Sequence, residues 1–149
     1  MKLAERPTPR LTVVTLGADD MSASLKFYEA LGFARRLQAA GEKVAFFETG
    51  GSVLALYPSA ALAAEAAQPS PAPAGFRGVT LAWNCRSHDE VDAVMTLAAM
   101  AGAAVLKPAA ATHYGGYAGY FADPSGHVWE AVVAPGIEVG DDRRVTIPQ

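Results

Sequence analysis

One cysteine, Cys85, stands in a chain of 149 residues. That excludes an internal disulfide framework and any zinc site built on several thiolates. Basic residues are few and scattered. Twelve Lys and Arg stand against fifteen Asp and Glu, a formal net charge of −3, with no run of Lys or Arg to track a phosphate backbone, so nucleic acid is not an expected partner. No apolar run approaches the roughly 18 residues that a membrane span needs. The N-terminal stretch Met1-Lys2-Leu3-Ala4-Glu5-Arg6-Pro7 lacks the apolar heart of a signal peptide. These absences set the expectation of a cytoplasmic protein with neither nucleic acid nor membrane as partner. What the chain does have is apolar content: 51% of its residues are hydrophobic, enough for one compact core.

The chain is written twice. Arg10 to Leu16 is an apolar strand. Asp20 then offers an N-cap, Met21, Leu25, Tyr28 and Leu31 recur at helical spacing, and Gly32 suits the stop. Strands are expected at about Phe33 to Ala39, Lys43 to Glu48 and Ser52 to Tyr57, with Gly50-Gly51 turning the last pair into a hairpin. The second half repeats the order. Arg77 to Trp83 is the opening strand. Ser87-His88-Asp89-Glu90 reads as a capping box, in which Ser87 and Glu90 satisfy each other's backbone donors. Val91, Val94, Met95, Ala98 and Ala101 carry a helix that Gly102 stops. Strands follow at about Ala103 to Lys107, Tyr117 to Ala122 and His127 to Val133. Gly32 matches Gly102. Phe47…Gly51-Ser52-Val53 matches Phe121…Gly126-His127-Val128, with one residue inserted in the second copy.

The expected fold class is therefore α+β. Two β-α-β-β-β modules form a joined, curved mixed sheet around a concave cup, with helices on the outer face. The whole chain is one domain: module 1 spans about 9–58, a short Ala-rich helix and Pro-rich linker about 59–75, module 2 about 76–134 and a tail 135–149. The tail, with Asp141-Asp142-Arg143-Arg144, reads as solvated, either partly mobile or packed on a neighbour.

The most informative stretch is Gly119 to Glu130. Asp123-Pro124-Ser125-Gly126 is turn chemistry between two strands. The second strand carries a lone carboxylate, Glu130, among Val128, Trp129, Ala131, Val132 and Val133. A charge there must be paired, bound to a metal or neutralised. A tyrosine hydroxyl, Thr15, Thr80 or water could satisfy it. Desolvation would otherwise push it towards a general base.

The helix Asp20-Met21-Ser22-Ala23-Ser24-Leu25-Lys26-Phe27-Tyr28-Glu29-Ala30-Leu31-Gly32-Phe33 and the hairpin Phe121 to Glu130 resemble the vicinal oxygen chelate superfamily. That superfamily includes glyoxalase I, extradiol dioxygenases and bleomycin-resistance proteins. The resemblance covers roughly residues 9 to 134. It implies four metal-ligand positions, which fall here on Val13, Ala55, Thr80 and Glu130. Only Glu130 ligates well, where an open catalytic site usually takes about three protein ligands. The expectation is a site without a metal cofactor, a divalent metal being the disfavoured alternative.

By strand alternation Val13 and Thr15 share one face, as do Val53, Ala55 and Tyr57, Thr80 and Ala82, and Val128, Glu130 and Val132; the resemblance implies that these rows line the cup. The loop from His113 through Tyr114 to Tyr117 could close over a ligand, its glycines giving flexibility and its tyrosines stacking area. It could equally be a bend whose tyrosines pack in the sheet. Trp83, Trp129 and most of Phe27, Tyr28, Phe46 and Phe47 read as core, with one of Phe46 and Phe47 facing the cup. Cys85 reads as structural. The functional expectation is a glyoxalase/bleomycin-resistance-like protein that binds a small apolar or aromatic molecule, with a homodimer as its assembly. The alternative is a lyase, isomerase or dioxygenase-type enzyme using Glu130, the one tentative catalytic residue, as general base or metal ligand.

Overall fold

The structure, a computed structural model, describes residues 6–38 and 43–149. The N-terminal stretch read for a signal peptide lies mostly outside the described residues, as does the end of the strand expected to reach Ala39. The architecture is α+β and is built as two β-α-β-β-β modules. Module 1 runs β1 (Val13–Ala18), α1 (Met21–Ala30), β2 (Ala34–Arg36), β3 (Ala45–Glu48) and β4 (Val53–Pro58). A short α2 (Ser59–Glu65) leads to the exposed linker. Module 2 runs β5 (Thr80–Asn84), α3 (His88–Met100), β6 (Ala104–Ala111), β7 (Tyr117–Ala122) and β8 (Val128–Val133). The opening strands start about three residues later than the hydrophobic pattern suggests, because Leu11 stays 77% and Val79 60% exposed.

The helix punctuation follows the sequence. The Asp20 carboxylate accepts the Ala23 N–H at 3.0 Å and Ser87 Oγ accepts the Glu90 N–H at 3.1 Å. Such caps contribute about 1 kcal/mol each. The capping box is not reciprocal: the Glu90 carboxylate accepts from the N–H of Arg86 at 2.9 Å, one residue before the cap. Gly32 and Gly102 end their helices at φ 91 and 100, a left-handed turn that glycine makes without a Cβ penalty.

Each module makes one four-stranded sheet, in the orders β1-β4-β3-β2 and β5-β8-β7-β6. The pairs β1–β4 and β5–β8 are parallel and the rest antiparallel. Among the described residues no ladder crosses from one sheet to the other. The modules are joined instead by side chains. One aromatic cluster holds Tyr28 and Phe33 of module 1 against Trp129, and Phe33 against Trp83, at centroid distances of 5.5–6.0 Å. The shared core also takes in Phe27, Phe47, Leu54, Val91, Met95 and Phe121. Neither module buries these rings alone, so cross-module burial of aromatic surface makes the domain. Gly119 lets α3 settle on β7: a Cβ there would stand 2.7 Å from Met95 Sδ.

The tail is more ordered than its weak periodicity suggests. It forms a two-stranded hairpin, β9 (Glu138–Val139) with β10 (Val145–Thr146). Arg86 holds one side through the Val139 carbonyl and Asp141, at 3.2 and 3.1 Å. On the other side Arg143 grips both oxygens of Glu48, at 2.6 and 2.7 Å.

Candidate functional site

The face of module 2 turned away from its helix carries the anticipated carboxylate. The β8 register sets Glu130 between Ala82 of β5 and Tyr120 of β7, with Thr80 and Val128 one step along. Glu130 is half-buried and its carboxylate lies beside the Tyr120 phenol. Its interaction with that hydroxyl, then burial and the carboxylate's charge, push the Tyr120 hydroxyl up to about 12, so it stays protonated at neutral pH. The neighbours Ala82, Ala118 and Ala122 are small. Tyr114 lies close enough to add to the perturbation of Tyr120. Its ring also meets His113 edge-on at 5.2 Å, both residues being exposed.

Tyr120 belongs with Glu130, although alternation along β8 alone does not name it. The signal lies in the hairpin: Asp123-Pro124-Ser125-Gly126 pairs Ala122 with Val128, which sets Tyr120 opposite Glu130 two residues further back. Tyr117 does not share this face. It lies three residues from Tyr120 in a strand with period 2, so it points to the helix side. There its hydroxyl donates to Asp92 at 2.6 Å and its ring stacks on His88 at 4.4 Å.

Module 1 presents a more apolar face. Thr15 and Phe46 flank Ala55, and Val13 and Glu48 flank Val53. Phe46 is thus the member of its pair on this face, while Phe47 is fully buried in the core. Tyr57 reaches past the sheet: its hydroxyl donates to Glu65 of α2 at 2.9 Å, which raises its pKa. Val13, Phe46 and Val53, with Arg36 and Leu37, line a shallow depression of about 290 Å³.

The four positions that the family plan would give to a metal do not fit one. Val13 and Ala55 offer no donor atom, Thr80 offers a neutral hydroxyl, and Glu130 alone offers a carboxylate. Among the described residues no three His, Cys, Asp or Glu side chains converge on a point that could hold an ion.

A cavity of about 700 Å³ lies elsewhere. It lies between the modules and is lined by Val14, Leu54, Leu81, Trp83 and Trp129, whose side chains belong to the helix-covered sides of the sheets. Val53 and Ala82, from the rows expected in the cup, border it, while Val13, Thr15, Ala55, Tyr57, Thr80 and Glu130 do not.

Two other side chains have structural places. Cys85 precedes a helix N-terminus but is buried, and burial followed by the Glu90 charge pushes its thiol up to about 11. A thiol that stays protonated is no nucleophile at neutral pH. His127 is a strut: its Nε2 bridges 2.7 Å to the Gly17 carbonyl of module 1 as the donor.

With this geometry in place the comparisons are specific. The sequence model of the Glyoxalase/Bleomycin resistance protein/Dioxygenase superfamily matches residues 10–131, and the chain belongs to that superfamily. A glyoxalase-related enzyme from Fulvimarina pelagi is 34% identical with a TM-score of 0.85, over 95% of this chain and 100% of its own. A glyoxalase/bleomycin resistance protein/dioxygenase from Nocardioides is 25% identical with a TM-score of 0.72, over 93% and 92% of the two chains. A lactoylglutathione lyase from Agrobacterium tumefaciens, at 24% identity, TM-score 0.64 and coverage of 85% and 95%, shares the fold. No match was found among curated proteins. Among the described residues no helix is long and apolar enough to cross a membrane.

Proposed function

We propose that this protein binds a small apolar or aromatic molecule on the concave faces of its sheets, without a resident metal, in the manner of a bleomycin-resistance-like binder. The observation that carries the reading is the Glu130–Tyr120 pair. It replaces an ion-holding set with one acceptor and one donor in a patch of small side chains, a polar handle for an otherwise apolar ligand. Val13, Thr15, Phe46 and Ala55 of module 1 supply the apolar wall, and Thr80, Glu130, His113 and Tyr114 of module 2 the polar one. Titration with zinc, nickel, manganese and iron tests it. Failure of each to bind tightly is the expected result, and one stoichiometric metal held through Glu130 overturns it.

The assembly in this reading is a homodimer in which the open faces of two copies complete one another. Val13 is 43% exposed on the open face of module 1, apolar surface that pairing would cover. Sedimentation at micromolar concentration checks this, and a monomer removes the two-walled cup.

An enzymatic reading rests on the same pair. Glu130 stands beside a phenol that remains a donor, so it could take a proton next to a carbonyl while Tyr120 donates. Glu130→Gln separates the two readings. As a binder, the variant keeps apolar affinity within about threefold, since one hydrogen bond is exchanged for another. As an enzyme, it loses turnover of methylglyoxal–thiol adducts or catechols, and wild-type turnover of neither leaves the binder.

A further inference from the structure

The cavity between the modules is not used by this reading, and its chemistry is distinct. Its floor is apolar, formed by Val14, Phe33, Leu54, Leu81 and Trp83, with Trp129 beside them. Its volume, about 700 Å³, falls within the range of small-molecule sites, roughly 300–1,000 Å³. The rim carries two carboxylates and two guanidiniums. Glu48 is paired with Arg143, which donates to both of its oxygens. Glu90 accepts the Arg86 backbone N–H, a bond that leaves its charge in place. Arg144 donates through Nε to the Gly50 carbonyl at 3.2 Å, and its guanidinium has no carboxylate partner among the described residues. The cation at the mouth with no carboxylate in contact is therefore Arg144, a guanidinium held in place at one nitrogen.

We infer that this cleft is a second ligand site, separate from the cup, for a small aromatic anion whose rings lie on the Trp83 and Phe33 floor and whose acidic group meets Arg144. A guanidinium with free N–H groups suits a carboxylate or sulfonate. The tail hairpin supplies Val139, Arg143, Arg144 and Val145 to the lining, so the site needs the ordered C-terminus. Gly50 permits this closeness, because a Cβ there would stand 2.8 Å from Arg143 Cβ.

The probe is 8-anilinonaphthalene-1-sulfonate, with the uncharged N-phenyl-1-naphthylamine beside it. Trp83 and Trp129 are the chain's two tryptophans and both line the cleft, so intrinsic fluorescence reports occupancy directly. The expected result is saturable quenching at one sulfonate probe per chain. Affinity should fall about tenfold or more in Arg144→Glu and by a smaller factor in Arg144→Gln, as expected for a lost charge-assisted hydrogen bond. The uncharged probe should bind all three proteins alike. Arg144 is exposed, so both variants fold. Equal sulfonate affinity in wild type and Arg144→Glu overturns the inference. So does binding without tryptophan quenching, and so does binding that responds to Glu130→Gln and not to Arg144→Glu, which would put the probe in the cup.

Discussion

The β7–β8 turn and the β3–β4 turn occupy the same place in the two modules, yet one closes on the neighbouring module and the other stands off from it. The β7–β8 turn docks on the end of β1. His127 bridges to the Gly17 carbonyl and Ser125 Oγ accepts the Asp19 N–H at 3.0 Å. Behind them the buried Tyr28 hydroxyl donates to Asp123 at 2.7 Å and accepts from the Trp129 indole at 3.0 Å. Asp123 also takes the N–H groups of Ser125 and His127, both at 2.9 Å. The β3–β4 turn has Thr49-Gly50-Gly51-Ser52 instead, one residue shorter and with no long side chain. It leaves the 700 Å³ cleft between itself and β5, and the C-terminal hairpin bridges the mouth. A repeated plan thus yields one sealed seam and one open one. The difference rests on the extra residue and on side chains long enough to reach.

The sealed seam is where a single change should cost most. Asp123→Ala strips a buried tyrosine of its acceptor and two backbone donors of theirs. A loss of about 2–4 kcal/mol is expected, because unpaired buried donors keep their full desolvation penalty. A urea midpoint near that of wild type would mean the turn is not what fastens the modules. His127→Ala removes one strut at a half-buried site and should cost about 1 kcal/mol. Hydrogen exchange should show faster opening at Asp19, whose amide lies beside the lost bond.

The open seam should respond least in global stability and most to acid. Arg143 and Glu48 are an exposed pair, so Arg143→Ala should shift stability by less than about 1 kcal/mol. It should still speed tryptic cleavage after Arg144, read by mass spectrometry. The Arg143 hydrogen bond holds the Glu48 carboxyl below its ordinary value of 4.5. A depressed carboxyl contributes its share above that value and loses it as pH falls through the lower one. Release of the tail is therefore expected only below pH 4.5. The Tyr28 hydroxyl is pushed far upward by burial and by Asp123, so it stays protonated throughout this range. Acid that changes tryptophan emission in wild type should do little in Arg143→Ala, and an equal change in both would separate the tail from the cleft.

Much of this was written locally. Asp20, Gly32, Ser87 and Gly102 punctuate the helices where the sequence says they must, since caps and left-handed stops depend on a few adjacent atoms. The Asp123–Gly126 turn fixes a register, and the register places Glu130 and Tyr120 together. Tyr117 could not be placed by proximity in sequence, because a strand reverses facing at each step and three residues suffice to send it to Asp92. The tail hairpin carried no periodic signal, since its ordering depends on Arg86 and Glu48, more than forty residues away from it.

The amino-acid sequence alone determined the doubled β-α-β-β-β plan, the helix limits, and a lone carboxylate where the family's metal plan would want several donors. Local backbone chemistry and alternation suffice for those. Only the tertiary structure decided that the sheets meet through aromatic side chains and not through a ladder, that His127 is a strut, and that a cavity of about 700 Å³ lies between the modules. Those outcomes depend on whether groups far apart in the chain come within about 3 Å, the reach of a hydrogen bond, and that distance is set by how the two modules pack on each other.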